Sequence, residues 1–201
     1  MKYPSELFTQ TLEVKQSKFI ASLCHYNMYE KLLAKVKNEH PKARHFVVAF
    51  RYLNEFEQII EHSSDDGEPR GTSGKPSLMV LQGQELINTA VIIVRYFGGT
   101  KLGTGGLVRA YSDAVNLVIS NSTFFEYKKV KKMTIAVAYA NSRIVEYECE
   151  RCGIEIIEKN FTDAIIYKII ASEENINNFL EKVDRAVEII TKTIPKNSAI
   201  G

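Results

Sequence analysis

Two short stretches of the chain hold residue types that could do chemistry. The first is SDDGEPRGTSGKP, residues 64–76, where Asp65, Asp66 and Glu68 stand together with Arg70 and Lys75 close behind. Clustered carboxylates could hold Mg²⁺, which takes oxygen ligands and keeps several waters. They could also work as acid and base if burial split their pKa values. A third possibility is a clamp on Arg95 or Arg109 that orders the loop, since bidentate carboxylate–guanidinium pairs are strong and directional. The plainer alternative is a solvated loop in which Asp65 and Asp66 cap turns. Acids adjacent in sequence often point apart, so a structural or partner-binding role is preferred over a metal site.

The second stretch is FGGTKLGTGG, where Gly98, Gly99, Gly103, Gly105 and Gly106 supply five of the chain's eleven glycines. Glycine admits positive φ and close approach by another backbone or a ligand. This loop leads into a helical pattern, so free N–H groups at Gly105, Gly106 and Leu107 would point from a helix N-terminus, an end that attracts phosphate or carboxylate. Lys101 and Arg109 would add charge beside it, with Arg95 just before the loop and Lys75 on the neighbouring one. The spacing fits neither the P-loop nor the Rossmann fingerprint, because Lys101 precedes the later glycines and no GxGxxG opens the helix. Nucleotide hydrolysis is therefore disfavoured. A tight crossover that needs glycine only for packing is the competing reading.

Other reactive side chains carry less. His25, His40, His45 and His62 form no close metal-ligand spacing. His62, beside the acidic loop, is the one to test as a base, and His45 reads as structural. Cys149 and Cys152 make a lone CxxC near the end of a helix, where thiolates gain no help from the helix N-terminus. One buried and one half-exposed thiol is the expectation, with Cys24 in the core. No residue is assigned a catalytic role, and no metal is assigned to these histidines and cysteines.

The elements that must position these loops follow from periodicity. Residues 11–23 read as strand, interrupted at Lys15, Gln16 and Ser17. Asn27 and Glu30 have the spacing of a capping box, and the helix that follows ends before Pro41, with Met28, Leu32 and Val36 as its apolar stripe. Residues 45–52 read as a strand, with a short run at 56–61 beside it. Pro76 suits a first helical turn, with Leu78, Leu81, Met79 and Val80 inward. AVIIVRY, residues 90–96, has the continuous β-branched character of a central strand covered on both faces. Residues 107–119 then place Leu107, Ala110 or Tyr111, Ala114 and Val118 on one helical side.

Character changes near Lys128, Lys129, Lys131 and Lys132, and a domain boundary is expected at 131/132. The remainder parses as strand 133–139, helix 141–152, strands 153–160 and 164–172, helix 173–185 and strand 187–194. That order, βαββαβ, is the ferredoxin-like split pattern. The fold class is thus α+β, in two domains, 1–131 and 132–201.

Composition sets the outer limits. The chain has 201 residues, 45% hydrophobic and 25% charged, the make-up of a folded globular protein. A net charge of +2 does not by itself imply nucleic-acid binding. Nothing reads as a signal peptide or a membrane span. Three cysteines, an odd number, fit a reducing compartment, so cytoplasm is expected and a membrane partner is not.

The stretches SDDGEPRGTSGKP (64–76) and VRYFGGTKLGTGGLVRAY (94–111), with Lys15, Ser17, Lys18, Phe19, Ile20 and Ala21 ahead of them, closely resemble the IMPACT family, also called the YigZ or UPF0029 family. The resemblance covers most of residues 1–131. It implies a ribosomal protein S5 domain 2-like fold for the first domain, as in domain IV of elongation factor G. For the second domain it implies a ferredoxin-like module of the kind found in translation factors. Eukaryotic relatives regulate translation by competing for a large activator of a translation-initiation-factor kinase. They carry an RWD domain with no counterpart here, so that interaction is not carried over whole. The implied function is a translation-associated protein that contacts RNA, the ribosome or a protein partner. A protein-interaction module comes second. An enzyme acting on a small phosphorylated or carboxylated ligand, with Mg²⁺ at the acidic loop, comes third.

Overall fold

The computed structural model describes residues 1–184 and 186–191. It divides into two compact units, Met1–Tyr127 and the chain from Lys128 onward. Sequence patterning puts the change at 131/132. The division falls a few residues earlier because a strand of the second unit already starts at Val130.

The first unit runs β1 (Lys2–Pro4), β2 (Phe8–Val14), β3 (Ser17–His25), a 3₁₀ turn (Tyr26–Met28), α1 (Tyr29–Glu39), β4 (His45–Leu53), β5 (Ile59–Ser64), α2 (Gly74–Gly83), β6 (Thr89–Tyr96), α3 (Gly103–Ser120) and β7 (Phe124–Glu126). Five strands form one sheet in the order β2-β3-β6-β4-β5. All its neighbouring pairs are antiparallel. The interruption at Lys15 and Gln16 is the β2–β3 hairpin. Both residues have positive φ, 45° and 65°, as a two-residue turn matched to strand twist requires.

β6 is the middle strand, and both of its faces are covered. Val91 and Ile93 join the larger core with Leu81 of α2 and Leu107, Tyr111, Ala114, Val115 and Val118 of α3. Ala90, Ile92 and Val94 face the other way, onto Leu32 and Val36 of α1. A strand between two layers can be apolar at every position, which is why AVIIVRY has no alternation. Each large aliphatic or aromatic side chain fully buried here contributes about 1.5–3 kcal/mol.

Several local expectations shift. Asn27 does not cap α1. His25 accepts the Asn27 N–H and opens the 3₁₀ turn instead, and Met28, placed before the helix, is 42% exposed. β5 lies at Ile59–Ser64 rather than 56–61. Pro76 is in the first turn of α2, with Leu81 buried and Met79 exposed. α3 begins at Gly103, so its N-terminal N–H groups start two residues before Gly105. The small β1–β7 sheet pairs Lys2 with Glu126 and ties the two ends of this unit together. Three-residue strands at opposite ends of a segment carry no periodicity that could announce them.

The second unit has β8 (Val130–Val137), a 3₁₀ turn (Tyr139–Asn141), α4 (Ser142–Arg151), β9 (Glu155–Phe161), β10 (Ile165–Ser172), α5 (Glu173–Val183) and β11 (Val187–Thr191). The order is βαββαβ, and the sheet runs β11-β8-β10-β9 with antiparallel pairs throughout. β10 alternates strictly between buried and half-buried positions, with Ile165, Tyr167, Ile169 and Ala171 turned to the core beside Val145, Cys149, Ile176 and Phe179 of the helices. Ser172 caps α5 by accepting the Asn175 N–H. The expected ends of the last helix and strand, Arg185 and residues 192–194, lie outside the described residues.

Candidate functional site

Residues 65–73 join β5 to α2, and each acid in this loop has its own internal task. Asp65 turns back onto the start of α2. Its Oδ1 accepts the Ser73 N–H (3.1 Å), the Ser73 hydroxyl (2.6 Å) and the Gly74 N–H (2.8 Å), while Oδ2 accepts the Gly71 N–H at 2.7 Å. Burial alone would raise its pKa, but these donors outweigh it and hold the carboxyl below its ordinary value. Asp66 has a φ of 44°. Its Oδ2 accepts the Phe46 N–H at 2.6 Å, and its carbonyl accepts His45 Nδ1 at 2.8 Å.

Glu68 does something different. It is 8% exposed and faces Arg95, which is 7% exposed. Arg95 Nη1 donates to both carboxylate oxygens, at 2.6 and 2.9 Å. The Tyr111 hydroxyl donates to Glu68 Oε1 at 2.8 Å. Burial and the adjacent Glu68 charge push the Tyr111 phenol far above its usual range. The clamp weighed from sequence is therefore made by Glu68 on Arg95. It draws the acidic loop, the end of β6 and α3 together.

This division of labour bears on Mg²⁺. Asp65, Asp66 and Glu68 point at three different sets of protein donors. Among the described residues no group of three or more His, Cys, Asp or Glu side chains is arranged to hold a metal ion. Arg70 is exposed beside them.

The Gly-rich loop has its own logic. A Cβ on Gly98 would lie 2.0 Å from the Gln16 carbonyl carbon, so only glycine lets this loop cross the β2–β3 turn. Gly98 also donates its N–H to Ser17 Oγ at 3.1 Å. Gly99 and Gly103 have φ of 88° and 73°, in the left-handed region. Gly105 has nothing within 4 Å of where a Cβ would be, and a Cβ on Gly106 would touch only the Leu102 side chain. No side chain caps α3, and its first turn holds no acid. Its leading N–H groups are thus open at an end that carries partial positive charge. Lys101, Arg109 and, on α2, Lys75 are all exposed, and none makes an ion pair or hydrogen bond among the described residues. Arg109 follows Gly105 by one helical turn. Arg95 belongs with the Glu68 clamp rather than with these open cations.

His62, the candidate base, is exposed on β5 and faces away from the clamp. It pairs in register with Phe50, whereas Arg95 pairs with His45, and these positions alternate to opposite faces of β4. Its ring lies against Phe50, at 5.1 Å between centroids. The histidine that touches the acidic loop is His45. Cys24 and Cys149 are buried, with thiols pushed up to about 12 by burial, and Cys152 is half-buried.

Periodicity gave no sign of the surroundings of Arg95. Where β4 begins and β6 ends, a hollow of about 450 Å³ is lined by Lys42, Arg44, His45, Arg95, Tyr96 and Phe97. The antiparallel pairing of β4 with β6 sets His45 opposite Arg95, and no local pattern encodes that pairing. Among the described residues, no helix is long and apolar enough to cross a membrane.

Comparison with known proteins agrees with the residues that form these loops. Residues 15–119 match the family described as Impact N-terminal domain, a span that includes both loops and Tyr111. An IMPACT family member of Haemophilus influenzae is 38% identical over 172 residues, covering 83% of this chain and 82% of its own length. The IMPACT family member YigZ of Escherichia coli is 32% identical over 183 residues, 90% of each chain. A crystal structure of a protein described only as hypothetical is 29% identical, with a TM-score of 0.68 over 95% of this chain and 96% of its own. With its family match spanning more than half of the chain, and relatives this similar over most of their length, this protein belongs to the IMPACT family.

Proposed function

We propose that the protein is a translation-associated binding protein that contacts RNA or a ribosomal component through the loops at 65–76 and 95–109. The observation that carries this reading is the uncapped N-terminus of α3, with Gly103 and Gly105 open to solvent, Gly106 half-buried, and the unpaired cations Lys101 and Arg109 beside it. Exposed N–H groups and unpaired cations suit phosphate oxygens. The acidic loop supports the reading indirectly: its carboxylates are spent on holding the loop and Arg95, which suits a shaped surface better than a set of reacting groups.

In this reading the first unit is a ribosomal protein S5 domain 2-like domain, and the βαββαβ second unit is a ferredoxin-like one. Such a protein would work in the cytoplasm, where its partner is. A translation-related protein partner, recognised through the same cations, is the second reading.

Cosedimentation with ribosomes and subunits at low and high salt tests the first reading. Association should weaken with salt, because each neutralised phosphate releases condensed counterions. The Lys101→Ala/Arg109→Ala variant should bind less tightly, with a log–log salt slope smaller by about 1–2. A folded protein with no salt-sensitive association would overturn the reading.

A further inference from the structure

We propose that the hollow formed by Lys42, Arg44, His45, Arg95, Tyr96 and Phe97 is a nucleotide site, which holds a phosphate on its cations and a base on Phe97. This deepens the reading above, and rests on it for the choice of a nucleotide over another phosphorylated aromatic compound.

Charge points to an anion. Lys42 and Arg44 are exposed, and neither has an ion pair or hydrogen bond among the described residues. Arg95 comes with Glu68 already attached, and no acid lines the hollow itself. Cations gathered in a concave wall repel one another and focus a positive potential, which an anion relieves.

The second observation is Arg95 itself. It is 93% buried, yet its Nε has no hydrogen-bond partner. A buried N–H left without an acceptor is costly and rare in folded proteins. Arg95 spends Nη1 on Glu68, and its Cζ lies 5.5 Å from the Phe19 ring and 5.8 Å from the Phe97 ring. The guanidinium is thus held in place with donor capacity left over.

Phe97 selects for more than phosphate. Its ring is 58% exposed on the wall of a cationic hollow, where a bare phosphate has no use for it. An aromatic face next to arginine suits stacking of a planar base, which tolerates any base sequence. A hollow of about 450 Å³ lies within the range of small-ligand pockets. The ligand chemistry is therefore a phosphate monoester carrying a base. It could come from a free nucleoside monophosphate or from the 5′ end of an RNA strand.

Titration calorimetry on the full chain tests this with four nucleoside monophosphates, the matching nucleosides, inorganic phosphate, and short RNAs with a 5′ phosphate or a 5′ hydroxyl. Monophosphates should bind at least 10-fold more tightly than nucleosides and several-fold more tightly than inorganic phosphate. Lys42→Ala/Arg44→Ala should weaken them at least 10-fold. Phe97→Ala should weaken them about 5-fold and leave inorganic phosphate unchanged. All three side chains are exposed, so these variants should stay folded. A preference for the 5′-phosphorylated RNA over its hydroxyl form would name the strand end as the source, and its absence the free nucleotide. No monophosphate binding, binding indifferent to Lys42→Ala/Arg44→Ala, or equal affinity for inorganic phosphate would each overturn the proposal. Ribosome association that persists in that outcome would leave the RNA-contact reading standing. Nucleotide binding without ribosome association would do the reverse.

Discussion

Tyr111, in the third turn of α3, donates its hydroxyl to Glu68 in the loop before α2, at 2.8 Å and out of contact with water. The same carboxylate takes both bonds from Arg95 Nη1. One glutamate thereby fixes the acidic loop to the helix that follows the Gly-rich loop. The Tyr111 ring also meets Phe19 edge-on, at 5.1 Å between centroids, so the clamp is seated on the main core.

Glu68→Gln should destabilise the first unit by about 3 kcal/mol, because it leaves a buried guanidinium without its counter-charge. Tyr111→Phe removes a buried hydrogen bond to the Glu68 carboxylate and should cost about 1.5–3 kcal/mol. Glu68→Gln/Arg95→Met should cost clearly less than the two single changes added together, since the residues share one interaction. Urea unfolding followed in the first unit measures all of these. Strict additivity would show that the pair is not coupled.

Asp65→Asn should cost on the order of 1–2 kcal/mol at neutral pH, as a part-exposed carboxylate loses its charge-assisted bonds. The sign of the pH dependence follows from the lowered folded pKa. Protons then bind the unfolded chain more readily than the folded one. The Asp65 contribution is complete above the unfolded value of about 3.9 and is lost as pH falls through the lower folded value. The stability difference between wild type and Asp65→Asn should hold steady between about pH 5 and pH 8 and shrink below about pH 4. A difference that grew on acidification would contradict this account of the loop.

The glycines of the 98–106 loop should split into two kinds. Gly98→Ala drives a methyl into the Gln16 backbone and should cost about 2–3 kcal/mol or stop the unit folding. Gly105→Ala meets nothing and belongs to a helix, so stability should stay level or rise by up to about 1 kcal/mol. Thermal melts of the two variants read the contrast. If Gly105→Ala melts like wild type yet loses ribosome association, the glycine is there to let a ligand reach the backbone.

Much of the scaffold could be read from local pattern. The apolar run at β6 announced a strand covered on both faces, and Leu107, Ala110 or Tyr111, Ala114 and Val118 marked the inward side of α3, where both Ala110 and Tyr111 are buried. Strand and helix periods are local properties, and in the second unit they gave the order βαββαβ directly. Helix starts were less legible. His25, rather than Asn27, takes the first free N–H ahead of α1, because a 3₁₀ turn comes before the helix.

The sequence by itself determined the family, the two loops and the residue types in them. Tertiary structure alone decided what those residues do. Asp65, Asp66 and Glu68 are neighbours along the chain, yet one holds the start of α2, one holds β4 and one clamps β6 to α3. The cationic hollow needs His45 opposite Arg95, and these residues come together only when β4 and β6 pair. Sheet register and the direction of a carboxylate are set by contacts between distant segments, which no window along a single chain contains.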